Sequence, residues 1–204
     1  MREAFAAGVL ALVLASCGGS TASPSVTSPA LHGEANDAKG DAIAGGGIAT
    51  APDLVHATAD VAAGNITFVI QFAPGTFDRQ STRVSVLLDT DQDGSTGIRQ
   101  LNALGADYSI DLSASTSQAT IMKADAASCA ALLTCFNAVG SQAVTFVQDG
   151  MQVIVPLSLL GNDDGRMSFQ IFASILVSSS PPALPTALIV DVMPDVAAAP
   201  ARVQ

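Results

Sequence analysis

The chain has 204 residues, of which 49% are hydrophobic and only 13% charged. Its formal net charge of −10 and pI near 4.2 oppose contact with phosphate backbones and anionic headgroups, which excludes nucleic-acid binding. Of its 18 acidic residues only Glu3 and Glu34 are Glu; Asp is a poor helix former that favours turns and calcium loops, so the composition points to strands and Asp-bearing loops.

Arg2 precedes an apolar run from Ala4 to Ala15, too short to span a bilayer and of the length of a signal-peptide core. The run ends in Leu14-Ala15-Ser16-Cys17, which resembles the lipobox of bacterial lipoproteins. That resemblance implies a signal peptide over 1–16, lipid modification of Cys17 and attachment to a membrane surface. Gly18 after the cysteine, rather than Asp, implies an outer-membrane address in the same family. Glu3 departs from the basic start of such signals. Residues 17–50 are rich in Gly, Ser, Pro and Ala, with Gly45-Gly46-Gly47 near the end. They offer little apolar surface to offset chain ordering and predict a flexible tether, with His32 as a solvated residue within it.

From Leu54 the pattern changes to that of strands. Leu54 to Val61 reads as the first, and a turn at Ala63-Gly64-Asn65 follows. Ile66, Phe68, Ile70 and Phe72 then share one face of a second. Val84, Val86 and Leu88 mark a third, and Tyr108, Ile110 and Leu112 a fourth, opposite Asp107, Ser109 and Asp111. Ala119 to Met122 is a shorter fifth. Ala143 to Val147 and Met151 to Pro156 flank Gln148-Asp149-Gly150, a hairpin signal. Leu157 to Gly161 reads as one helical turn, and Ser168 to Leu176 and Ala187 to Val192 complete the set. Short strands with short turns and no long helical period predict an all-β, antiparallel β-sandwich over 51–196, preceded by the signal peptide and tether and followed by a tail at 197–204. Tyr108 and the phenylalanines at 68, 72, 146, 169 and 172 read as core.

Cys129 and Cys135 lie close in sequence. In an exported protein such a pair usually forms a disulfide. Free buried thiols and a metal pair are the alternatives; no His stands nearby and there is no second Cys pair, which argues against zinc.

Asp89-Thr90-Asp91-Gln92-Asp93-Gly94-Ser95 follows directly on the third strand. Alternate aspartates before a glycine open a calcium loop, because Ca²⁺ gathers six to eight hard oxygens and relieves the repulsion among close carboxylates. Gly94 permits a sharp turn that brings a later carbonyl, that of Ser95, toward the same ion. The twelfth position of an EF-hand would hold a bidentate Glu; here it is Gln100, so Asp107 is the candidate for the missing ligand. The expected set is Asp89, Asp91, Asp93, Ser95 and Asp107, holding a structural Ca²⁺ with low affinity. A solvated Asp-Gly turn without an ion is the alternative.

Four fragments, Leu87-Leu88-Asp89-Thr90-Asp91, Gly105-Ala106-Asp107-Tyr108-Ser109-Ile110, Val155-Pro156-Leu157-Ser158-Leu159-Leu160-Gly161 and Asp191-Val192-Met193-Pro194-Asp195, together resemble DOMON-like β-sandwiches, which include the family 9 carbohydrate-binding modules. The resemblance implies a sandwich with a possible ligand face and a structural calcium ion, with Asp89, Asp91 and Asp107 near that ion or at the same sheet end. Sugar faces rely on aromatic platforms, and this chain departs from that pattern with no Trp and one Tyr.

Catalytic signatures are missing: there is no Gly-x-Ser-x-Gly elbow, His-Glu-x-x-His zinc motif or phosphate loop. Asp163-Asp164 sits in a turn-like Gly-Asn-Asp-Asp-Gly stretch. The expectation is a noncatalytic cell-envelope lipoprotein, a calcium-stabilised module for a glycan or protein partner. The alternatives are a structural or assembly accessory of an envelope complex, and a hydrolase of unrecognised type.

Overall fold

Alternation of apolar and polar residues drives the chain into strands, most plainly in Ile66 to Phe72, where every second side chain is buried. The computed structural model describes residues 30–43, 50–125, 135–177 and 186–204. In chain order the strands are β1 (Leu31–Asn36), β2 (Leu54–Ala62), β3 (Asn65–Phe72), β4 (Thr82–Asp89), β5 (Ile98–Arg99), β6 (Gly105–Ala106), β7 (Tyr108–Ser113), β8 (Gln118–Ala124), β9 (Phe136–Val147), β10 (Gly150–Pro156), β11 (Met167–Val177), β12 (Thr186–Met193) and β13 (Ala201–Val203). Short 3-10 turns cover Leu101–Ala103 and Leu157–Leu160, and no α-helix occurs among the described residues.

All strand pairs are antiparallel. The main sheet runs β1-β2-β3-β10-β9-β8-β7-β4-β11-β12, with β13 also on β11. β9 carries the path from one layer to the other: Val144 to Val147 pair with β10, and Phe136 to Ala143 pair with β8. On the opposite side His32 and Gln204 exchange backbone hydrogen bonds of 3.3 and 3.2 Å, linking β1 to the segment that follows β13. The result is an antiparallel sandwich with barrel-like closure, which leaves few open edges.

The core lies between the layers. Phe68, Ile70, Met151 and Val153 come from one, and Val86, Ile110, Ile121, Phe169 and Ile171 from the other. Phe68 meets Phe169 edge-on at 5.7 Å between ring centroids, a favoured aromatic geometry that joins the layers directly. Tyr108 is buried in this core as its strand face predicts.

Several boundaries differ from the sequence pattern. Leu31–Asn36, within the expected tether, forms β1 on β2, and His32 is a strand residue whose Nδ1 lies 2.7 Å from Asp60. Its inward positions, Gly33 and Ala35, are too small to signal a strand by hydrophobicity. Ala201–Val203, within the expected tail, pairs with β11. β9 begins at Phe136 rather than Ala143; its first half is largely exposed, so no alternation announced it. Phe172 leaves the main core and packs on the outer face with Leu87, Leu104 and Ala106. The loop joining β9 and β10 is Gln148-Asp149, with Gly150 already in β10. Cys17 and Cys129 lie outside the described residues, so neither the lipidation nor the Cys129–Cys135 pairing is addressed by the structure.

Candidate functional site

β4 ends at Asp89, and Asp107 stands directly before β7. Leu88 pairs with Tyr108, and the Asp107 N–H donates to the Leu88 carbonyl at 2.8 Å. This register sets the two aspartates side by side at one sheet end. Asp91 folds back over them, its Oδ1 accepting the Asp93 N–H at 2.9 Å and its Oδ2 the Thr96 hydroxyl at 2.9 Å. Asp107 Oδ2 accepts both the N–H and the hydroxyl of Thr90, at 2.9 and 3.0 Å. Asp89, Asp91 and Asp107 thereby each present a carboxylate oxygen within 4.8 Å of the others.

The three carboxyls differ in environment. Burial pushes Asp89 up to about 6, aided by a hydrogen bond with Asp91 and the charges of Asp91 and Asp107. Asp91 is held below the usual carboxylate range by the Asp93 N–H and the Thr96 hydroxyl. Like charges this close favour either a shared proton or a bound cation.

Asp93 is not among the three converging carboxylates. Asp93 Oδ1 accepts the Ser95 hydroxyl at 2.6 Å and its N–H at 3.0 Å, and those bonds hold its carboxyl low. Gly94 serves close approach: a Cβ there would lie 2.2 Å from the Ala103 carbonyl oxygen. The loop is thus pressed against the strand pair β5–β6. An open pocket of about 340 Å³ beside the triad is lined by Asp91, Asp107, Tyr108, Lys123 and Asp163 among others. Asp163 and Asp164 cap their own turn, accepting the N–H groups of Gly165 and Arg166 at 2.7 and 2.8 Å.

A groove of about 390 Å³ crosses the outer face of the β8-β7-β4-β11-β12 layer. Ser85 and Leu87 of β4, Ser109 and Asp111 of β7, Met122 of β8 and Phe172 and Ser174 of β11 line it, with Phe136, Gln100 and Ile189 at its sides. Ser109 donates to Asp111 at 2.7 Å. These are the alternate positions to the core residues on the same strands. Sequence pattern identified the strands but not the groove, because Phe172 read as core and Phe136 lay outside the expected strands. Neither histidine lines it: His32 is bonded to Asp60, and His56 lies 3.0 Å from Asn36 Oδ1.

Asp37, Asp41, Asp53, Asp191 and Asp195 form further carboxylate groupings that the motifs did not predict. They come from separate parts of the chain, and no local spacing unites them. No protein-family model matches the chain, and no curated protein matches it.

Proposed function

We propose that this chain is a noncatalytic binding module of the cell envelope, anchored through lipidated Cys17 and braced by Ca²⁺ at Asp89, Asp91 and Asp107, with the outer-face groove as its ligand surface. One observation carries the binding role: an amphipathic groove about 390 Å³ in volume lies on a rigid sheet rather than on loops. The β-sandwich agrees with the DOMON-like resemblance, which places a ligand face on such a scaffold. The groove holds Ser and Asp side chains without a histidine base, which favours recognition over hydrolysis.

Of the two partner classes, a protein segment suits the groove better than a glycan. Ile189, which lines the groove, is 53% exposed, and Leu188 beside it and Leu176 are exposed too. Among the described residues β12 has β11 as its only strand partner, although its Val190 carbonyl already accepts the Ile43 N–H. An extended apolar segment can add to such an edge and place alternate side chains in the adjoining groove. The same proposal includes export, a Cys129–Cys135 disulfide, which non-reducing peptide mapping tests, and an outer-membrane location. Among the described residues no helix is long and apolar enough to cross a membrane, and the proposed attachment is the lipid.

Parallel screens of displayed extended peptides and of a glycan array test the partner class. Apolar peptides should bind the wild-type protein and lose at least about tenfold in affinity on Ile189→Lys, the effect of a removed interface anchor. Glycan binding that survives Ile189→Lys, with no peptide selected, would overturn the protein-partner assignment.

A further inference from the structure

We propose that Asp41, Asp53 and Asp191 form a second calcium site, separate from the Asp89 loop, that fastens the segment between β1 and β2 to β12, with Asp37 and Asp195 beside it. Asp41 is the hub. One carboxylate oxygen each from Asp37, Asp41 and Asp195 lie within 4.8 Å of one another, and the same holds for Asp41, Asp53 and Asp191. Oxygens bound to one Ca²⁺ at 2.3–2.6 Å lie no more than about 5 Å apart, so each grouping of three has the spread of a coordination sphere.

A cluster of surface acids would mean little, but the innermost member is not at the surface. Asp53 is only 4% exposed, and its Oδ1 is buried with no hydrogen-bond partner, while Oδ2 accepts the Gly40 N–H at 2.8 Å. Asp37 repeats the arrangement, with Oδ1 on the Ala38 N–H at 3.0 Å and a buried Oδ2 without a partner. An unpaired buried carboxylate oxygen is costly, and a cation is the partner that removes the cost for several at once. Among the described residues no Lys, Arg or His forms a salt bridge with any of the five.

The backbone already holds the carboxylates in place. Asp191, itself buried, accepts the Leu54 N–H at 2.6 Å and the Val192 N–H at 2.8 Å. The Ile43 N–H donates to the Val190 carbonyl at 2.7 Å, and the Asp37 N–H to the Val55 carbonyl at 3.1 Å. Carboxylate oxygens alone, without nitrogen or sulfur, select a hard ion over zinc or copper, and calcium's tolerance of irregular geometry suits donors from several segments.

Calorimetric titration of Ca²⁺ into the chelator-stripped, desalted protein tests this, with wild type, Asp41→Asn, Asp53→Asn and Asp91→Asn compared. Asp41 is exposed, so its replacement should leave the fold intact by circular dichroism and is the decisive variant. The expected result is that Asp41→Asn and Asp53→Asn each lose a calcium equivalent that Asp91→Asn retains. If Asp41→Asn binds as much calcium as wild type, or if Asp91→Asn alone abolishes all binding, the second site is overturned.

Discussion

Asp89 and Asp107 lie side by side because Leu88 and Tyr108 pair across β4 and β7, and the pairing forces two like charges to one sheet end. The buried member, Asp89, bears the consequence and is pushed up to about 6. In the proposed calcium site the opposed carboxylates and Asp91 would be the ligands, while Asp93 accepts from Ser95 within the turn.

Without a bound cation the protein should become more stable on mild acidification. Asp37 is raised to about 7, Asp89 and Asp191 to about 6, and Asp163 is raised as well, in each case chiefly by burial. Their charged neighbours are carboxylates: Asp91 and Asp107 around Asp89; Asp191, Asp41 and Asp195 around Asp37; Asp41 and Asp53 around Asp191; Asp164 and Asp107 around Asp163. A carboxyl with a higher pKa in the folded than in the unfolded state takes up a proton on folding, so stability rises as pH falls through that interval. The window runs from about pH 7 down to about 4. Asp78, Asp91 and Asp93 are held low by donated hydrogen bonds, and their contributions fade only below that window. In chelator, the unfolding midpoint should be higher at about pH 5 than at about pH 7; the reverse order would refute the burial of these acids.

Gly94→Ala should destabilise the loop and the domain together. The added Cβ would meet the Ala103 carbonyl oxygen at 2.2 Å, and backbone rather than a flexible side chain must give way. A cost of about 1–3 kcal/mol is expected from overpacking. Urea unfolding measures it, and a change below about 0.5 kcal/mol would show that the loop does not press on β5–β6.

Phe169 and Phe172 lie on opposite faces of β11 and should respond differently. Phe169→Ala empties the centre of the core beside Phe68 and should cost about 3–5 kcal/mol. Phe172→Ala opens the smaller outer cluster with Leu87, Leu104 and Ala106; it should cost less and weaken any ligand held in the groove. Equal destabilisation by the two would contradict the assignment of Phe172 to a binding face.

The strands legible in the sequence were those with one wet and one dry face, such as Ile66 to Phe72. β1 and β13 were not, because small inward residues (Gly33, Ala35) and a three-residue pairing leave too little periodic signal. The first half of β9 is exposed at most positions, so a strand held by backbone pairing to β8 left no apolar trace. In the candidate site, Asp89 and Asp91 were readable from their spacing and Asp107 from its place at the head of a strand. The Asp41-centred cluster was not readable, since its members meet only after β2 and β12 are in place. The groove emerges only when the outward residues of β4, β7 and β11 are set in register.

The proposed calcium bracing at the Asp89 end is most directly tested by thermal unfolding of the purified protein, first in EDTA and then in millimolar calcium, for wild type and Asp91→Asn. The wild-type midpoint should rise by roughly 3–8 °C in calcium. Asp91→Asn should show a clearly smaller rise, with the remainder arising from the Asp41-centred cluster. A wild-type midpoint unmoved by calcium, or a rise in Asp91→Asn equal to that of wild type, would contradict calcium binding at Asp89, Asp91 and Asp107.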